Sequence, residues 1–375
     1  MTLTHRERIL AALNHQETDR VPIDFGGTQA STIFHGAYER LKTHLGLAHE
    51  TKIFSDIRRL AMPDEAVLQH FDVDTRFLST GGTFIAKQVI DDDTCLDEWG
   101  VTWRKAADGN PMPVDGPFKE PEMAQLDAHD WPDPDDPVYI SGLIERATWL
   151  RDNTDCAIVL NLGTGFGTHG QQMRGFGDWM TDLYKNRAFV TRLMDRINEH
   201  WIAVVGNALR VLGDKVDIVT WGDDLASQAG PLFSPEIYRT LMKPRQKALI
   251  DAIKSNSEAK VLYHCCGSVT PFVEDLIEIG VDALNPVQVS ASNMEPAELK
   301  QAFGEHIAFW GGIDTQNVLP NGTPEEVRSE VRRVIDCLAP GGGYVLNSVH
   351  NIQTDVPPEN VVAMFDEAVN YHHAG

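Results

Sequence analysis

Short apolar runs recur along this chain, and most are followed by a loop and then by a stretch with helical periodicity. Eight runs stand out, at residues 21–25, 73–78, 157–161, 217–221, 260–264, 281–285, 307–311 and 343–347. Their length and β-branched content read as strands. Between the later runs lie apolar-periodic stretches such as 235–253 and 324–338, which read as helices. Strands alternating with helices pair in parallel. Eight of them in one chain of 375 residues predict a (β/α)8 TIM barrel, an α/β fold spanning residues 1–375 as a single domain. A doubly wound open sheet is the alternative. Ahead of the first run, Thr4 and Glu7 have the spacing of a capping box, opening a helix that carries Ile9, Leu10 and Leu13 on one side.

One stretch breaks the alternation. Residues from about 79 to 140 hold the acidic run Asp91-Asp92-Asp93, Trp99, Trp103 and a Pro/Asp-rich segment at 131–137. Residues 83–90 and 98–104 read as a β-hairpin within an insertion after the second strand. The insertion is either a lid over the barrel mouth or a surface excursion whose Trp residues pack on a helix.

Charge narrows the function. The chain carries 55 acidic against 32 basic side chains, for a formal charge of −23. That balance disfavours nucleic acid and anionic membrane surfaces as partners. No apolar stretch approaches the roughly 18 residues a membrane span needs. Five cysteines, an odd number without repeating spacing, suit reduced thiols rather than a disulfide framework. The N-terminal stretch has no apolar signal core. Together these lead us to expect a cytoplasmic protein.

Candidate chemistry gathers at the C-terminal ends of the strands, where barrel enzymes place their active sites. His264-Cys265-Cys266-Gly267 closes the fifth run. Side chains alternate along a strand, so His264 and Cys266 share a face and Cys265 points away. Imidazole and thiolate are ligands that zinc prefers, and a catalytic site uses three protein ligands with one position open. His350, after the eighth run, is the third candidate metal ligand; otherwise His264 is a hydrogen-bonding histidine and the cysteines are buried packing. Trp221-Gly222-Asp223-Asp224 follows the fourth run. One acidic residue there faces inward for acid–base, metal or binding work and the other caps the next helix; we favour Asp224 as the inward one. Asp74 can pair with Arg76 or serve catalysis. Asn285, Asp314, Gln316 and Asn347, with Trp221, are candidate substrate-binding residues. Gly165-Phe166-Gly167-Thr168-His169-Gly170 matches the glycine pattern of a dinucleotide site. No acidic residue ending a next strand follows at the required distance of about 20 residues, so the match is read as a decoy.

From end to end the chain resembles the uroporphyrinogen decarboxylase-like family. The resemblance rests on RERILAALNHQETDRVPIDFGG at the start, on His264-Cys265-Cys266-Gly267-Ser268, on Phe309 through Asp314, and on His350 through Asn360. It implies a barrel with its site at the C-terminal mouth. Decarboxylases of the family carry an Arg-Gln-Ala-Gly-Arg motif just after the first strand. Here that place reads Asp24-Phe25-Gly26-Gly27-Thr28-Gln29, without either arginine. The chain looks closer to the zinc- and corrinoid-dependent methyltransferase branch, whose zinc motif is His-x-Cys with a distant Cys after the last strand. His264 and Cys266 match the first two members, and His350 stands where that Cys would be.

The resemblance thus implies zinc-dependent methyl or alkyl transfer to a thiol or tetrahydrofolate. The methyl donor would be a corrinoid on a separate protein or another activated methyl compound. Zinc would be held by His264, Cys266 and His350, with Asp224, Asn285 and Gln316 positioning the acceptor. The alternative is a metal-free decarboxylase or lyase acting on a smaller substrate through Asp74. A third reading, from another class, is a non-catalytic binding protein that keeps the pocket. Fold relatives suggest a monomer or homodimer.

Overall fold

Thr4 and Glu7 do form the capping box that starts the helix His5–Leu13. The chain is seen here in a computed structural model that describes residues 2–47, 50–54, 59–81, 86–106 and 111–372. Beyond that helix, seven parallel strands make the central sheet: β1 (Thr75–Ser79), β2 (Ala157–Asn161), β3 (Ile218–Trp221), β4 (Lys260–His264), β5 (Ala283–Asn285), β6 (Ala308–Trp310) and β7 (Tyr344–Val345). They pair in sequence order from β1 to β7, each beside the next.

The first expected strand, 21–25, forms only a bridge, Ile23 with Leu346. Pro22 has no N–H to give, so a longer ladder is not available there. The segment still bonds to both edges of the sheet. Asp24 N–H donates to the Leu346 carbonyl, Leu346 N–H to the Pro22 carbonyl, and Asp74 N–H to the Ile23 carbonyl.

Alternation along the strands divides the sheet into two faces. Ala157, Val159, Ile218, Leu262, Ala283, Ala308 and Val345 form one cluster with Ile9, Ala12 and Leu13 of the first helix. The opposite face, including Leu160, Val219, Val261, Tyr263 and Phe309, packs in the main core. Continuing the first face by twos places Asn161, Thr220, His264 and Asn285 at the C-terminal ends of their strands. The first helix covers the N-terminal end of that face, and the polar residues lie at the other.

The inserted segment is not the single hairpin expected. It contains a four-stranded antiparallel sheet, Ala86–Asp91, Thr94–Asp97, Thr102–Lys105 and Pro111–Asp115. Residues 83–85 of the expected hairpin lie outside the described residues. Ala86–Asp91 pairs with Thr94–Asp97 rather than with 98–104. Asp97 sets that register: its carboxylate accepts the Trp99 and Val101 N–H groups and the Trp103 indole N–H. Trp99 packs against His169, His200 and Trp201, on two helices.

The expected helix 235–253 is interrupted. Pro235–Ile237 and Lys243–Asn256 flank a π-turn, Tyr238–Met242. Pro244 cannot donate to the preceding turn, which loosens the ladder at that point. Among the described residues, no helix is long and apolar enough to cross a membrane.

Candidate functional site

β4 ends at His264, and Cys266 follows two residues on. The Cys266 Sγ lies 3.4 Å from His264 Nε2. The His350 ring, brought in after β7, stands 5.6 Å from the His264 ring, centroid to centroid. The candidate ligand atoms of His264, Cys266 and His350 all lie within 4.8 Å of one another. Nitrogen and sulfur ligands on one tetrahedral zinc are about 3.5 Å apart, from the usual bond lengths. The donor set therefore fits zinc in kind and in number, and the His264–Cys266 pair fits it in spacing.

Surrounding groups hold this geometry. Asn285 Nδ2 donates to the Trp310 carbonyl, which leaves Asn285 Oδ1 to accept from His264 Nδ1–H at 2.6 Å. The Nε2 lone pair of His264 then faces the sulfur, an arrangement found around histidine metal ligands. The Cys266 N–H donates to Asp224 Oδ1 at 2.9 Å. Gly267 has φ +90, a conformation that favours glycine, and its N–H donates to Gln288 Oε1. Burial, with the Asp224 charge beside it, pushes the Cys266 thiol up from its ordinary range. Cys265 lies on the other side, fully buried, with its sulfur accepting the Leu225 N–H.

Replacing Asn285 by Ala would free the His264 ring to turn. We expect zinc affinity to fall about 10- to 100-fold. Competition with a chelator measures this, and unchanged affinity would show that Asn285 does not hold the histidine.

Asp224 lines a cavity of about 260 Å³ together with Thr28, Gln29, Trp221, His264 and His350. A second cavity, about 410 Å³, shares His350 and reaches Cys266, Gln288 and Gln316. Gln316 is exposed there. Asn285 lines neither cavity, since His264 and Trp310 occupy its amide. Asp314 accepts the N–H groups of Gln316 and Asn317 and so shapes its own turn. Asn347 is buried beside Gly311, its amide atoms without a hydrogen-bond partner in the structure. Asp74 stands at the other end of the sheet, immediately before β1. Its carboxylate is completely buried between Arg8 and Arg20, at 2.6 and 2.7 Å. Burial pushes it up, and the two guanidinium groups oppose that shift. Arg76 pairs with Glu65 instead. Thr28 and Gln29 were legible in the sequence only as the place where arginines are missing, and Thr220 and Asn351 carried no motif.

Asp223 explains the glycine motif. Its carboxylate accepts the Thr168 N–H at 2.8 Å, capping the helix Phe166–Arg174 from the loop after β3. A Cβ on Gly165 would fall 2.4 Å from the Asp223 carboxyl carbon, and one on Gly170 would fall 2.2 Å from the Trp179 ring. The glycines make room for a carboxylate and an indole of the chain itself.

Burial pushes the Asp223 carboxyl up to about 7, with the Asp224 charge adding to the shift and the Thr168 N–H opposing it. The ordinary aspartate value is 3.8. The folded chain therefore holds a proton at Asp223 that the unfolded chain has released. Its contribution to stability is full below about pH 4 and is lost as pH rises through about 7. Asp223→Asn keeps an oxygen for Thr168 and cannot ionise. In urea unfolding, the wild type should lose stability relative to this variant between about pH 4 and 7 and level off above that. Parallel pH profiles would contradict a proton held at Asp223.

Residues 107–371 match the model of the uroporphyrinogen decarboxylase (URO-D) family. Methylcobamide:CoM methyltransferase MtbA of Methanosarcina mazei is 29% identical over 197 residues, 52% of this chain and 53% of that protein. The match thus spans about half the length of that relative. Uroporphyrinogen decarboxylase of Alkalilimnicola ehrlichii is 24% identical over 383 residues, covering 98% of this chain and 94% of the relative. Among solved structures, a methyltransferase from Methanosarcina mazei aligns with a TM-score of 0.68 at 18% identity, covering 98% of each chain. That likeness carries the fold.

Proposed function

The chain belongs to the uroporphyrinogen decarboxylase family, and from that premise we propose that it is a zinc-dependent methyl or alkyl transferase. The acceptor is a thiol or tetrahydrofolate, and the methyl group comes from a corrinoid carried on a separate protein. The observation that carries this reading is the convergence of His264 Nε2, Cys266 Sγ and the His350 ring beside a cavity. The name of the Methanosarcina relative, a methylcobamide-dependent methyltransferase, agrees with it. We take residues 21–25 as the eighth stave that closes the barrel, which sets His350 across the mouth from His264.

His264, Cys266 and His350 would hold zinc, three ligands leaving one position open. Bound there, zinc supplies positive charge that keeps a coordinated thiol as thiolate near neutral pH. The rest falls to the chain. Asn285 fixes the His264 ring, and Asp224 fixes the Cys266 loop through its backbone N–H. The adjoining cavity seats the acceptor with its sulfur toward the cluster. That sulfur attacks the methyl carbon in line; the new S–C bond forms as the bond from methyl to the donor breaks, and the donor leaves with the electron pair.

Among the described residues, no Lys or Arg lines the cavity beside His264. A substrate with several carboxylates, of the kind a decarboxylase binds, would find no cationic clamp. Single-turnover mixing of zinc-loaded protein, methylcobalamin and a small thiol tests the proposal. We expect thioether with loss of the methylcobalamin spectrum. Turnover of a porphyrinogen without methyl transfer would overturn it.

A further inference from the structure

The two cavities that meet at the metal-ligand cluster share a charge pattern. Among the described residues, no Lys or Arg lines either of them. The cavity beside His264 carries one carboxylate, Asp224, among hydroxyl and amide groups such as Thr28, Gln29 and Thr220. Asp224 does not drift. Its Oδ1 accepts the Cys266 N–H at 2.9 Å, which holds the carboxylate against the backbone of the residue that carries the ligand sulfur. The chain as a whole adds a formal charge of −23. A negative group at the far end of the acceptor meets a fixed carboxylate at short range and no Lys or Arg to offset it, while the zinc charge is balanced by the Cys266 and acceptor thiolates.

We infer that the site selects acceptors by charge: the group two carbons from the reacting sulfur is cationic or neutral, as in an aminothiol, and a sulfonate or carboxylate there is rejected. This rests on the thiol-activating reading of the cluster. The sulfur end is the same for every thiol, so differences within a series of equal length report on the far group. Repulsion and attraction of unit charges a few ångströms apart, at the effective dielectric of a protein surface, amount to about tenfold in affinity or more.

The test uses protein loaded with cobalt(II), whose thiolate absorption band reports binding at the metal without turnover. Three thiols are titrated: 2-aminoethanethiol, 2-mercaptoethanol and 2-mercaptoethanesulfonate, with affinities expressed per thiolate. The ammonium thiol should bind about tenfold or more tighter than the sulfonate, with the alcohol between them. Asp224→Asn keeps an oxygen for the Cys266 N–H and should narrow that ratio. Gln29→Lys, which puts a cation into the lining, should favour the sulfonate. Sulfonate binding as tight as the ammonium thiol in the wild type would overturn the inference alone. No thiolate band with any of the three would overturn the metal–thiol reading and this inference with it.

Discussion

Cys266→Ser is expected to lose stoichiometric zinc and to lower methyl transfer by about two orders of magnitude or more. A serine hydroxyl stays protonated near neutral pH and is a poor zinc ligand, so two histidines remain, below the three protein ligands of catalytic sites. Cys265→Ser is the internal comparison. Its sulfur faces the Leu225 N–H inside the core, so the variant should keep its metal. Elemental analysis of both variants, with circular dichroism to establish folding, reads the result. Full zinc in folded Cys266→Ser protein would remove the sulfur from the metal site.

Asp74→Ala is expected to cost about 3–5 kcal/mol of stability. The substitution leaves Arg8 and Arg20 facing a void, and both side chains are almost wholly buried. It also takes away the acceptor of the Ile23 N–H, one of the bonds that ties residues 21–25 to the start of β1. Urea unfolding measures the loss. Zinc affinity should be unchanged in the folded fraction, because Asp74 precedes β1 at the end of the sheet away from His264. A stable Asp74→Ala protein without activity would instead give Asp74 a direct part in the reaction.

The strands were readable because each is a short apolar run ending in residues that cannot continue it. The register of β4 was readable too: period two puts His264 and Cys266 on one side whatever the tertiary fold. The departures have local causes. Pro22 reduces residues 21–25 to a bridge, and Pro244 breaks the helix after Ser234 with a π-turn. Asp97 gathers three N–H groups into its own turn, which no period reveals, and so moves the pairing of the inserted sheet.

At the site, the pair Asp223-Asp224 was legible as one inward carboxylate and one cap of the next helix, but the helix that Asp223 caps lies earlier in the chain. The placement of Asp74 depends on which end of β1 it occupies. Arg8 and Arg20, the partners that define that end, come from the first helix and the loop after it, and only the fold brings them together. Asn285 reads as a rim residue by position, and it is the hydrogen bond to His264 that occupies it.

Zinc K-edge absorption on the reconstituted protein reads the metal's ligands themselves. We expect a first shell that includes two nitrogens at about 2.0–2.1 Å and one sulfur at about 2.3 Å, the sulfur vanishing in Cys266→Ser. Zinc that does not bind after reconstitution under reducing conditions, or binds with oxygen and nitrogen alone, would contradict it.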